Sequence, residues 1–148
     1  MKIADLVGET SILTGLQVPD KADLLRALAH QAALLVPIDE RQLLAALTAR
    51  EALGSTGMGE GIAIPHARLA GVEHPFGLFA HLETPVEFDA IDGRPVDLVF
   101  LLLLPADPRG EQLQALACVS RCLRNPQTAA ALRGTREEGA TLQVLTGG

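Results

Sequence analysis

Tryptophan and tyrosine are missing from this 148-residue chain, and phenylalanine occurs only four times. Without a set of exposed rings there is no stacking platform for single-stranded nucleic acid. Lysine and arginine number 12 against 18 aspartates and glutamates, a net charge of −6. That balance excludes a surface built to follow a phosphate backbone, favours solubility, and suits a basic protein partner. The longest apolar run, Leu98 to Leu104, falls far short of the ~20 residues a membrane-spanning helix needs. The opening "MKIADLVGETS" has neither an extended apolar core nor a small-residue cleavage site, so the chain reads as cytoplasmic, with no membrane insertion. Cysteine is scarce too. Cys118 and Cys122 stand four apart in a segment of helical pattern with no histidine nearby. They read as small apolar side chains, neither a disulfide nor a zinc site.

What is present is a globular composition, 48% hydrophobic and 20% charged. A chain of this length reads as one domain, able to bury ~70% of the surface its unfolded form exposes. "SILTGLQV" (11–18) has the pattern of a short strand. Asp20 then caps a helix whose stripe is Leu24, Leu25, Leu28, Ala32 and Leu35, with His30 partly buried in its packing and Pro37 as the break. Asp39 with Gln42 opens a second helix, Leu43, Leu44 and Leu47 inward, that Gly54 stops. "GLFAHLE" (77–83) alternates as a strand with Leu78, Ala80 and Leu82 on one face, which leaves His81 on the polar, exposed side. Asp89 and Asp92 read as turn formers.

"VDLVFLLLLP" (96–105) is continuous, partly β-branched and bounded by prolines, the pattern of a central strand buried on both faces. "DPRGEQLQALACVSRCLRN" follows as a helix with Leu113, Leu116, Ala117 and Leu123 inward, and a short helix spans Gln127 to Arg133. The tail from Gly134 fits either a strand or a frayed helix. These elements define an α/β fold in two or three layers. Its sheet is mixed, because the connection 84–95 is too short to carry a crossover helix.

The most unusual stretch is "GSTGMGEGIAIPHAR", residues 54–68. Gly54, Gly57, Gly59 and Gly61 allow positive φ and let backbone N–H groups approach a ligand, as in an anion nest. Ser55 and Thr56 add hydroxyl donors. Pro65 then holds Ile64 extended and sets His66 at the end of a stiff element, with Arg68 and Arg50 as nearby cations. No Lys-Ser/Thr follows the glycines, so this is not a P-loop, and their spacing and preceding helix do not fit a dinucleotide fingerprint. A histidine in this setting is either a hydrogen-bonded structural residue or a nucleophile. Neutral imidazole has a free lone pair near pH 7, and a phosphoryl acceptor needs mainly positioning and positive charge around the phosphoryl oxygens. His66, His74 and His81, spaced by eight and seven, match no metal-ligand pattern, and no Ser-His-acid or paired-carboxylate set can be assembled.

"AREALGSTGMGEGIAIPHAR" closely resembles the active-site segment of enzyme IIA domains of the bacterial phosphoenolpyruvate-dependent phosphotransferase system, in the fructose/mannitol/nitrogen-regulatory class. The resemblance continues through "EFDAIDGRPVDLVFLLLLP" and "QLQALA", and Gly-Ser-Thr-Gly with Ile-Ala-Ile-Pro-His favours the nitrogen-regulatory branch. It implies a mixed sheet flanked by helices, the phosphotransferase/anion-transport-like fold, with residues 1–148 forming one type 2 IIA domain. It implies that His66 accepts a phosphoryl group from an HPr/NPr-like phosphocarrier while Arg50 holds the phosphoryl oxygens. Ser55, Thr56, Gly57, Gly59, Gly61 and Arg68 complete the expected cradle, with no cofactor and no metal. Onward partners are regulatory target proteins or, in a sugar pathway, a IIB protein; a binding module without phosphoryl transfer is the remaining alternative. Many relatives carry a second active-site histidine where this chain has Gln112, which keeps an N–H donor but cannot carry a charge.

Overall fold

The apolar run becomes strand β6, Val96–Pro105, and the rest of the fold is arranged around it. The computed structural model describes residues 1–107 and 111–147. Along β6, Val99, Leu101 and Leu103 face one layer, while Leu98, Phe100, Leu102 and Leu104 face the other. All seven are essentially inaccessible to solvent. A strand apolar at every position must be covered on both sides, and this chain supplies helices for both.

One cover consists of α1, Lys21–Ala33, and α2, Glu40–Ala52. Leu24, Leu28, Leu43 and Leu47 pack there against Val99, Leu101 and Leu103. The Asp20 side chain accepts from the Asp23 N–H at 2.8 Å, and Asp39 accepts from the Arg41 and Gln42 N–H groups. Those caps satisfy donors that a helix start leaves free. The other cover is α3, Glu111–Arg124, α4, Pro126–Arg133, and α5, Glu138–Thr146. Ala115, Val119, Leu123, Leu132 and Leu145 close over Phe100 and Leu102. The expected α3 segment begins at Asp107, and its residues 108–110 lie outside the described residues, as does Gly148. The tail resolves as a helix, because the Glu137 carboxylate caps the Gly139 and Ala140 N–H groups at 2.9 and 2.7 Å.

The sheet is mixed, in the order β1-β5-β6-β3-β2. Strand β1, Ile12–Leu16, runs parallel to β5, Phe76–Val86, and β5 is antiparallel to β6. On the other side of β6, β3 (Ile62–Ala63) pairs in parallel with Leu98 and Val99 and forms a hairpin with β2 (Gly57–Gly59). Further along the same edge, β4 (His66–Leu69) pairs in parallel from Leu102 to Pro105. The segment 62–69 is therefore laid against β6 in two short registers, with Pro65 between them.

Three expectations are corrected here. His81 is buried, 5% exposed, because β5 lies between β1 and β6 and carries helices on both faces. His30 is exposed and its Nδ1 lies 2.8 Å from the Glu40 carboxylate, since the α1 stripe of Leu24, Leu25, Leu28, Ala29 and Ala32 leaves it outside. On α3 only Leu123 of the four expected residues turns inward fully; Leu113 is 77% exposed, Ala117 is exposed and Leu116 is half-buried. The core stripe is Ala115, Cys118, Val119 and Leu123, and Cys118 and half-buried Cys122 pack there as free thiols whose pKa burial raises.

Candidate active site

His66 is the first residue of β4 and sits opposite Leu102. The Leu102 N–H donates to the Pro65 carbonyl at 2.9 Å, so the backbone entering the histidine is tied to the doubly covered strand β6. The imidazole Nδ1 lies 2.8 Å from the Ile64 carbonyl oxygen. A carbonyl can only accept, so Nδ1 carries the proton and Nε2 holds the lone pair. Arg50, in the last turn of α2, places its Nε–H 3.3 Å from that Nε2 and donates an Nη1–H to the Gly54 carbonyl at 2.8 Å.

Burial pushes the imidazole pKa of His66 below its usual value. The bond to Ile64 opposes that shift, the Arg50 charge reinforces it, Glu51 opposes it and Arg68 adds to the lowering. Desolvation and neighbouring cations both disfavour a second proton, and the ring stays neutral at pH 7, with its lone pair on Nε2.

Two adjoining hollows of about 440 and 450 Å³ meet at His66 and Arg50. Arg68, exposed and two residues beyond His66 on the same strand, lines the first, and Ser55, Thr56 and Gly57 line the second. Leu113 and Leu116 border both. The residues expected inward on α3 thus form one wall of the cleft.

The expected cradle divides. Gly59 and Gly61 line neither hollow; they take φ of +93° and +80° at the tight β2–β3 hairpin, against Asp92 and the Arg133–Asp97 pair. Asp92 is more than a turn former, since its carboxylate accepts the Glu60 N–H at 2.9 Å. Gly57 is required by close approach, because a Cβ there would stand 2.9 Å from the Ala90 Cα. The two hydroxyls are engaged elsewhere. Ser55 Oγ donates to the Phe88 carbonyl at 2.6 Å, and Thr56 Oγ1 donates to the Glu51 carboxylate. Neither hydroxyl hydrogen is directed at His66, and the cations in the cleft are the arginines.

Gln112, in the first turn of α3, is 9% exposed and shares a hollow with His66. Its amide nitrogen lies 2.9 Å from the Pro105 carbonyl oxygen and 3.5 Å from that of Asp107. The donor expected to serve a ligand instead holds the connection between β6 and α3. Glu51 and Lys21 were not anticipated at the site. Glu51 follows Arg50 directly in the stretch carrying the family resemblance; one partner, Thr56, lies five residues on, and the other, Lys21, comes from the start of α1. Among the described residues no cluster of His, Cys, Asp and Glu is arranged to hold a metal ion, and no helix is long and apolar enough to cross a membrane.

The family model for the phosphoenolpyruvate-dependent sugar phosphotransferase system, EIIA 2, matches residues 5–147. The chain belongs to that family. It is similar to the nitrogen regulatory protein of Bradyrhizobium diazoefficiens, with 46% identity over 145 residues, covering 98% of this chain and 95% of that one. Among solved structures it is similar to the nitrogen regulatory protein IIA-Ntr of Neisseria meningitidis, with a TM-score of 0.91, 33% identity, and coverage of 97% and 99%. The fold is shared as well with the IIA of the Escherichia coli mannitol system, solved in complex with phosphorylated IIB, at a TM-score of 0.79, 22% identity, and coverage of 96% and 98%.

Proposed function

We propose that the whole chain acts as a single IIA domain, a cytoplasmic phosphohistidine carrier with a regulatory output of the nitrogen type. The observation that carries this reading is the state of His66, whose Nδ1 proton is fixed on Ile64 and whose Nε2 lone pair faces Arg50. The donor is the phosphohistidine of an HPr/NPr-like protein. Nε2 of His66 attacks phosphorus as the phosphorus–nitrogen bond to the carrier breaks, and the carrier's ring, already protonated on its other nitrogen, leaves with that bonding pair as a neutral imidazole. His66 keeps its Nδ1 proton and becomes a phosphorylated imidazolium, so no proton has to move. The Ile64 carbonyl is then the acceptor for a charge-assisted hydrogen bond. Arg50 shifts its Nε–H from the lone pair to the incoming oxygens, with Arg68 as a second cation; positioning and positive charge are what such a transfer requires.

Support for a protein rather than a small-molecule partner comes from the rim. Leu53, 85% exposed, and Leu113 flank the hollow, where large apolar side chains are costly unless a partner covers them. The nitrogen-regulatory output is supported by the nitrogen regulatory proteins that this chain resembles along nearly its whole length. A second reading, onward transfer to a IIB protein, draws on the mannitol IIA solved with its phosphorylated IIB.

Incubation with labelled phosphoenolpyruvate, enzyme I and an HPr-type carrier tests the assignment. Acid-labile, base-stable label that disappears in His66→Ala is the expected result. A wild-type chain that takes no label would favour a binding module of the same fold. Transfer of that label to a IIB protein would favour the sugar-pathway reading.

A further inference from the structure

Arg50 and Glu51 are adjacent in the last turn of α2, yet only Arg50 touches the imidazole. The Glu51 side chain is 5% exposed and meets the Lys21 Nζ at 3.0 Å. It also accepts from the Thr56 N–H at 3.2 Å and from the Thr56 hydroxyl. Lys21, the first residue of α1, is itself held over the Phe88 ring at 4.4 Å and lies 3.7 Å from the Asp89 carboxylate. A buried carboxylate needs partners for its lone pairs, and breaking such a pair is more costly than never having it.

The partners continue toward the reacting atom. The Thr56 carbonyl accepts the Ile64 N–H at 3.1 Å. The Ile64 carbonyl in turn accepts the His66 Nδ1–H at 2.8 Å. Lys21, Glu51, Thr56, Ile64 and His66 thus form one unbroken series of ion pair and hydrogen bonds. The series acts by position, since each bond fixes the place of the group that makes the next. The carboxylate's negative charge also favours the cationic ring that phosphorylation creates, and it acts on His66 in that direction already.

We infer that Glu51, held by Lys21, is a positioning residue for the phosphoacceptor. Through Thr56 and Ile64 it fixes the Nδ1–H tautomer of His66 and so leaves Nε2 as the attacking atom. This rests on the phosphocarrier reading for its consequence, although the tautomer itself can be measured without any transfer. The side chain touches neither substrate nor reacting atom; its bonds to the Thr56 N–H and hydroxyl together hold the backbone that presents the Ile64 carbonyl to His66.

The test compares wild type with Glu51→Gln, Thr56→Val and the double variant. Nitrogen NMR of the unphosphorylated proteins near pH 8 reads the His66 tautomer, and labelling from phosphoenolpyruvate through enzyme I and an HPr-type carrier reads the rate. A single Nδ1–H tautomer is expected in wild type, with a mixture in both single variants. Their labelling rates should each fall about tenfold, the difference between a charged and a neutral hydrogen-bond acceptor. The double variant should fall no further, and Thr56→Ser, which keeps the hydroxyl, should retain the wild-type rate. If Glu51→Gln does not fold, Thr56→Val decides by the same two readouts. An unchanged tautomer in the folded variants, or losses that add in the double variant, would overturn the inference. A wild type that shows the Nδ1–H tautomer but accepts no label would overturn the phosphocarrier reading while leaving the positioning role intact.

Discussion

The Arg50 guanidinium bridges two acceptors, the His66 Nε2 at 3.3 Å and the Gly54 carbonyl at 2.8 Å. One planar group thereby ties the end of α2 to the start of β4, and its bond to Gly54 also satisfies a carbonyl just beyond the helix end. A lysine could reach one of the two acceptors but has no fork to span both. Arg50→Lys should lower the phosphorylation rate of His66 by on the order of a hundredfold, the range seen when a preorganised donor to developing charge is removed. Its melting temperature should change little. Rate and stability moving together would show that Arg50 acts mainly as a helix-end residue.

The state of His66 ties stability to pH. Folding lowers its pKa below the ordinary 6.5, chiefly by burial. Between the folded value and 6.5 the unfolded chain binds more protons, so this contribution to stability is present above about pH 6.5 and lost as pH falls through the folded value. Melting curves from about pH 7.5 to about pH 5 should therefore fall more steeply for wild type than for His66→Asn. Parallel curves would contradict the assignment of a half-buried imidazole held neutral.

Gln112 gives its amide nitrogen to Pro105 and Asp107 rather than to the cleft. A histidine there could place a charged donor beside the phosphoryl oxygens, which an amide cannot match. Gln112→His should raise the phosphorylation rate, or slow loss of the phosphoryl group, by about tenfold. Unchanged rates in both directions would mean that position 112 serves only the connection between β6 and α3.

Gly57 and Gly8 form a contrasting pair. A Cβ at Gly57 would meet the Ala90 Cα and Cβ at 2.9 Å, whereas one at Gly8 meets nothing within 4 Å. Gly57→Ala should cost about 1–3 kcal/mol in denaturant unfolding as the loop at Ala90 is pushed away. Gly8→Ala should stay within about 0.5 kcal/mol of wild type. Because Gly57 lines the cleft, its variant should also slow labelling.

His81 tests the opposite case, a buried polar atom without a partner: among the described residues its Nδ1 has none. His81→Leu should leave the protein as stable or more stable, by up to about 1 kcal/mol, because an unsatisfied buried group is removed. A loss above about 2 kcal/mol in urea unfolding would show that the ring's packing outweighs its orphaned nitrogen.

Local chemistry made much of this fold legible. Asp20 and Asp39 cap the helices they were read to cap, and the apolar run 96–105 is the doubly covered strand its pattern describes. The short connection 84–95 correctly required an antiparallel step between β5 and β6. The errors arose where the neighbour was distant in sequence. His81 alternates properly along β5, but only the pairing with β1 and the helices beyond make both faces internal. On α3 two apolar stripes overlap, and helical periodicity cannot tell which one meets the sheet and which one walls a cleft. At the site, residue types pointed to His66 and the family resemblance to Arg50, and the structure places the two in contact. Ser55 and Thr56 have the right hydroxyls, yet the distant Phe88 carbonyl engages the first and Glu51, at the end of α2, engages the second, and only the turn between α2 and β2 decides that.

The two short registers of the segment 62–69 on β6 have a mechanical consequence. An acceptor histidine on a loop would have to be ordered at each encounter, and that entropy would be subtracted from every transfer. Here the ring is indexed to Leu102, in the doubly covered strand at the centre of the fold. On the proposed phosphocarrier reading the nucleophile works as an anvil: adjustment during transfer falls to the arginine side chains, the wall of α3 and the visiting protein.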